Sequence, residues 1–364
     1  MAHISTLTAP TVKNIIIDSL VVMKIVKHVD SEFYAGINEI AGESCQGHLS
    51  GLVESERLEI TNCFPTTRAE LVLDDEATPQ QSAQIEDQRH TEMIDMLRKF
   101  RKMNIDYELV GFYQAAPFGA CFNQDLVYSM AEYQSTVVPE NLALIYDPIR
   151  TRQGVLSLKA YRLSMAALEQ AVKQDWSPEA IRTANLTYGT VFEEVPITIK
   201  SSYLANVLMA ELSLSKGPVM DKFCSNLELG TKRSLEKSVR SMMANIDELN
   251  KSIQAFTKYN IEKQRHESFV YTATQNRQAE NETRIANGET PLSFDDIKKM
   301  KPPTLATRNG MLDALLSSCD VASLSDFCST VTGENMAKLF MAEAISDEKV
   351  ITGKDRSSSS ISRA

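Results

Sequence analysis

A chain of 364 residues is long enough for about two domains, and a net charge of −10 argues against broad contact with a nucleic-acid backbone. Its 43% hydrophobic and 24% charged residues are ordinary for a globular protein with a sizeable core. No apolar run reaches bilayer length, and the opening MAHISTLTAP lacks the pattern of a secretory leader.

Six cysteines, at 45, 63, 121, 224, 319 and 328, form no C-x-x-C pair. A zinc ribbon is therefore not expected, and reduced thiols in a cytoplasmic protein are. In chain order, Asn14 to Ile17 (NIII) predicts a strand. Asp18 to Val29 predicts a helix with Leu20, Met23 and Val26 on its apolar face. Cys45 to Val53 and Leu58 to Phe64 predict a hairpin turning at Glu54 to Arg57 (ESER). Thr66 to Ser82 is polar and reads as a loop. Glu86 to Met103 predicts an amphipathic helix with Met93, Met96, Leu97 and Phe100 on one face.

Glu108 to Tyr113 is a further strand, followed by a tight turn and a helix from about Asn123, a good N-cap, to Ser135. Leu142 to Tyr146 and Val155 to Ala160 are two more strands, the first broken by Asp147-Pro148. These alternating elements predict one mixed α/β domain over residues 11–170.

Residues 171–345 predict a mostly helical region, in which Val195 to Ile199 is the best strand candidate. A heptad helix runs from about 230 to 285. Leu235, Met242, Leu249 and Phe256 fall at d, and Val239, Ile246 and Ile253 at a. The e and g positions carry almost no complementary charge, so a bundle helix is expected rather than a partner-coded zipper. Asn287-Gly288 ends it, and Pro302-Pro303 marks a linker. Leu312, Leu315, Leu316 and Cys319, then Met336, Leu339 and Phe340, predict a second helical hairpin. The serine-rich end, 346–364, is expected to be disordered.

Few residues suggest chemistry. The five histidines show neither H-x-H nor H-E-x-x-H spacing. Phosphate-cradling glycine loops and a G-x-S-x-G elbow are missing as well. Cys121 beside the turn has no neighbouring histidine and reads as a packed hydrophobe rather than a nucleophile. Lys232, Arg233, Lys237 and Arg240 suit ribosomal RNA or a solvated helix face equally.

Three segments in order carry a resemblance. Val110 to Pro117 (VGFYQAAP), Gly47 to Gly51 (GHLSG) and Leu142 to Pro148 (LALIYDP) resemble the MPN domain family. The resemblance implies a mixed α/β MPN domain. Active members are zinc isopeptidases with a distant Glu and the motif H-x-H-P-x6-S-x2-D. In this chain the His positions hold Gln114 and Ala116, the Ser position Gln124, the Asp position Val127 and the Glu position Ser44. Alanine and valine offer no donor atom to zinc. The resemblance thus implies a vestigial site, no metal or other cofactor and no hydrolysis.

Among MPN proteins, LVESERLEITNCFP (Leu52 to Pro65) and the helical second half are most similar to the initiation factor three branch. The alternative is a scaffold of the proteasome lid or signalosome. That branch implies pairing with a second MPN protein of the complex (its F subunit), a shared helical bundle and indirect contact with the small ribosomal subunit. The partner-facing residues expected are the Met93, Met96, Leu97, Phe100 stripe and the heptad stripe from Leu235 to Phe256.

Overall fold

The computed structural model describes residues 11–34, 45–54, 56–66, 79–136, 138–152, 155–214, 232–287, 290, 292–293 and 311–358. An eight-stranded mixed sheet organises the first 200 residues: β1 (Asn14–Asp18), β2 (Gln46–Glu54), β3 (Arg57–Pro65), β4 (Leu109–Ala115), β5 (Leu142–Tyr146), β6 (Leu158–Leu163), β7 (Phe192–Val195) and β8 (Ile197–Lys200). Their spatial order is β7-β6-β5-β4-β2-β3-β1-β8. Only Pro196 separates β7 from β8, yet they occupy opposite ends of that order. The sheet must therefore curl until its ends meet, and the Pro196 carbonyl accepts from the Ile15 amide at 3.0 Å.

Strands β4 and β5 are adjacent inside the sheet and are buried on both faces. In β5, Leu142, Leu144 and Tyr146 join one core, while Ala143 and Ile145 join the other. The first core gathers α1 (Ser19–Tyr34) onto the sheet; the second gathers α3 (Gln124–Thr136), α5 (Met165–Lys173) and α6 (Pro178–Thr183). Two motif glycines are places of close approach. A Cβ on Gly111 would lie 2.3 Å from the Leu142 carbonyl oxygen, and one on Gly47 would lie 2.4 Å from the Tyr113 ring.

Several expectations are corrected. Helix α1 buries Val21, Ile25 and Val29, while Leu20 and Met23 are exposed. It leaves β1 without a linker, so the sheet sets its phase, and the i, i+4, i+8 row faces inward. Helix α2 (Pro79–Lys102) starts seven residues before Glu86, taking in the end of the expected loop; residues 67–78 of that loop lie outside the described residues. Strand β6 begins at Leu158, because Ala160 pairs with Leu144, and Val155 and Leu156 stay exposed. The sheet also draws β7 and β8 from beyond residue 170, where the domain was expected to end.

The second half contains α7 (Tyr203–Leu214), α8 (Lys232–Ala286) and α9 (Leu312–Ser358); the short α4 (Pro148–Arg152) completes the helices among the described residues. Helix α9 is one continuous helix, not the expected hairpin. It also runs through Ser358, well into the tail expected to be disordered from 346. Gly333 lies inside it with nothing near its Cα that a side chain would meet, so no packing forces a break there. Pro302-Pro303, Gly288 and residues 359–364 lie outside the described residues.

Helices α8 and α9 run antiparallel: Ser238 Oγ lies 3.4 Å from Cys328 Sγ, while Glu248, further along α8, acts on Asp320, further back along α9. The seam between them is not the a/d stripe. It uses the d row (Leu235, Met242, Leu249, Phe256) with the g row (Ser238, Asn245, Ser252), all buried or half-buried. The a row stays in water, Ile253 being 50% exposed. A small g residue such as Ser238 lets the helix backbones approach, and that rotates α8 off its larger β-branched row.

Candidate functional site

Strand β4 delivers the turn. The Ala116 amide bonds the Tyr146 carbonyl at 2.9 Å, after which Pro117–Gly119 form one tight 3-10 turn. Phe118 adopts φ 62° and Gly119 φ 73°. A left-handed conformation is uncommon for an aromatic residue and strained by about 1–3 kcal/mol. Buried Asp147 holds it: its carboxylate accepts from the amides of Ile149 (2.9 Å), Arg150 (3.2 Å) and Phe118. Burial raises the Asp147 pKa, and those amides pull it back down. Asn123 then caps α3, its Oδ1 accepting from the Leu126 amide at 2.8 Å.

The expected site positions do not form one cluster. Gln114 is buried and borders a cavity of about 250 Å³ with His48, Asn123, Asp125 and Tyr133. Ala116 and Val127 are sealed in the second core beside Leu126 and Met130. Gln124 turns the other way and donates from Nε2 to Asp313 Oδ1 of α9. Ser44 lies outside the described residues. His48 is the one imidazole on the cavity among the described residues. It sits against Phe64, with the Tyr133 hydroxyl 3.4 Å from Nδ1. Desolvation, then the charge of His90, lowers its pKa to about 4, so it is neutral at pH 7.

Zinc needs three or more donors converging on one point. Among the described residues no group of three His, Cys, Asp or Glu side chains is placed to hold a metal ion. The donor set at the turn among the described residues does not fit the zinc that an MPN frame implies. Cys121 does not replace it: the thiol is buried, and its pKa is well above the usual thiol range, first through desolvation and then through the charges of Asp320 and Cys319.

The covering of the turn by α9 escaped the sequence reading. Asp320 Oδ1 accepts from the Phe122 amide at 3.1 Å, and Ser323 Oγ donates to the Gly119 carbonyl at 3.2 Å. Cys319 Sγ donates to the Tyr188 carbonyl, also at 3.2 Å. Phe327 meets the Phe118 ring edge-on at 5.4 Å, and Leu312 and Leu316 enter the second core. The available signal was the spacing of Asp313, Leu316, Asp320, Ser323 and Phe327, which shares one helical face. Burial raises the Asp320 pKa to about 7, with nearby Glu248 pushing the same way and the amides of Phe122 and Cys121 opposing.

On α2, Phe100 is buried edge-on against Phe64 at 5.5 Å, while Met93, Met96 and Leu97 are half-buried. Part of that stripe thus packs on its own sheet. On α8, Arg240 is paired with Glu236 at 2.8 Å rather than left free for phosphate. No helix among the described residues is long and apolar enough to cross a membrane.

A curled mixed sheet, helices on both faces and a strand-end turn without convergent donors define an MPN domain in a form with no zinc donor set among the described residues. Residues 10–139 match the family described as JAB1/Mov34/MPN/PAD-1 ubiquitin protease, and residues 151–351 match the C-terminal region of eIF3h. The chain is 61% identical to the H subunit of eukaryotic translation initiation factor 3 from Caenorhabditis briggsae over 365 aligned residues, covering 100% of this chain and 99% of that protein. The protein of the same name from Caenorhabditis elegans is 60% identical over the same coverage. That from Xenopus laevis is 40% identical, over 94% of this chain and 97% of its own. The chain belongs to the eIF3h family, the H subunits of eukaryotic translation initiation factor 3.

Proposed function

We propose that this chain is a non-catalytic subunit of the eukaryotic translation initiation factor 3 complex, working in the cytoplasm and reaching the small ribosomal subunit through that complex. The observation that carries this is the open a row of α8. Val239, Ile246 and Ile253 repeat every seven residues on a helix already paired with α9, and they remain exposed. Large apolar side chains in register each contribute roughly 1.5–3 kcal/mol when covered. Another helix of a shared bundle would cover them. Gln114, Ala116, Gln124, Val127 and Ser44 then mark the remnant of a metal site whose ligands have been lost. The half-buried Met93, Met96 and Leu97 offer an adaptable face for the second MPN protein of the complex, its F subunit. A proteasome-lid or signalosome role is not favoured by the family match.

The test is affinity purification of the tagged full chain, with mass spectrometry of what accompanies it. Initiation factor 3 subunits in fixed ratio are expected. Recovery of lid or signalosome subunits instead would overturn the reading.

A further inference from the structure

A second cavity, of about 370 Å³, shares no lining residue with the one beside Gln114 and lies between the Pro117–Gly119 turn, strands β6 and β7, and helix α9. Among its lining residues are six aromatic ones, Phe118, Phe122, Tyr161, Tyr188, Phe192 and Phe327. Phe118 and Phe327 meet at 5.4 Å, Phe122 and Phe192 at 4.7 Å, and Tyr161 stands edge-on to Phe122 at 5.4 Å. Phe118 is the residue held in the left-handed conformation. A strained backbone persists where surrounding structure over-determines it, and here the strained residue is one of those lining the cavity.

The charges around the cavity do not cancel. Its lining holds three carboxylates, Asp147, Glu194 and Asp326, against two cations, Lys159 and Arg150; Lys159 is paired with Glu194 at 3.3 Å, and the charge of Arg150 lowers the pKa of the buried Asp147 without an ion pair between them. Asp326 is left over: it lies exposed on the rim, and its carboxylate has no hydrogen-bond or ion-pair partner among the described residues. The Tyr161 hydroxyl also lacks a partner among the described residues. Its pKa is raised, first by desolvation and then by the negative charges of Glu194 and others including Asp326. A half-open hollow faced with aromatic rings and carrying one uncompensated carboxylate favours a cation, because ring faces and carboxylate attract positive charge together. A planar guanidinium satisfies both, stacking on the rings and pairing with the carboxylate.

We infer that the cavity between the Phe118 turn, β6–β7 and α9 receives an arginine side chain of a partner polypeptide, stacked on the rings and paired with Asp326.

The experiment uses the full chain labelled with fluorophenylalanine, observed by fluorine NMR. The probe is N-acetyl-arginine methylamide, and the control is the neutral isostere N-acetyl-citrulline methylamide. The arginine probe is expected to shift the Phe118 and Phe327 signals saturably. The citrulline probe should bind on the order of tenfold more weakly, as should the arginine probe to Asp326→Asn. Phe118→Gly removes one wall while suiting the left-handed backbone, so it should keep the fold and lose the shift. Equal binding of citrulline, an unchanged affinity in Asp326→Asn, or no saturation would overturn the inference. Asp326 is exposed, so its substitution tests the site even if Phe118→Gly fails to fold.

Discussion

The sheet domain and the long helices treat apolar residues in opposite ways. Ile15, Ile17, Leu49 and Leu58 have no exposed surface, whereas Leu204 of α7 is 79% exposed. Helix α7 buries no residue at all, and α8 keeps its β-branched row in water. One region is closed by its own chain; the other has surface left over. The border between them does not follow chain order. The first turns of α9 complete the second core, although they come more than 100 residues after the last strand. An isolated first half would therefore lack part of its own packing.

The largest effect is expected at Leu312, which is fully buried where α9 enters the core. Leu312→Ala should cost about 2–5 kcal/mol, as buried leucine truncations do, read as a lower urea midpoint of the isolated chain. A change below about 1 kcal/mol would show that α9 rests on the domain without completing it.

Asp320 lies at the same border, bonded to the Phe122 amide. Its native pKa of about 7 lies above the ordinary carboxylate range, so the native state holds a proton that the unfolded chain has released. Stability contributed by that proton is present at low pH and is lost as pH rises through about 7. Asn keeps an acceptor for the Phe122 amide and removes the buried charge. Asp320→Asn should raise stability at pH 8 by up to a few kcal/mol and have little effect near pH 4, measured as thermal midpoints at both values. Equal effects at the two pH values would refute the assignment.

Ile246→Asp with Ile253→Asp tests the open region. Both positions are solvated within the chain, so the isolated protein should lose no more than about 1 kcal/mol. Co-purification of other initiation factor subunits should fall sharply, because a partner helix would have to bury two charges. Normal recovery of the complex would show that this row is not the assembly surface.

The smallest effect is expected at Gln114→Ala. Its side chain borders a cavity and makes no hydrogen bond among the described residues, so stability should move by less than about 1 kcal/mol. A severe translation defect in a folded, assembled variant would reveal a binding role for the cavity beside Gln114.

Much of this was legible in the residues themselves. The β-branched NIII, the LALIY strand and the Asn123 cap each announce local structure, because β-branching, alternation and capping act over a few neighbours. Ala116 and Val127 lack donor atoms whatever surrounds them, and that much is a property of the sequence alone. What lay beyond it depended on distant partners. The phase of α1 was set by the sheet it lies on, and the seam of α8 by the small g residue Ser238 opposite Cys328. The turn is covered by Asp313, Asp320, Ser323 and Phe327, some 200 residues away. Periodicity identifies which faces of a helix can be buried; only the tertiary structure decides which one is, because that choice rests on the shape of a neighbour the local sequence does not contain.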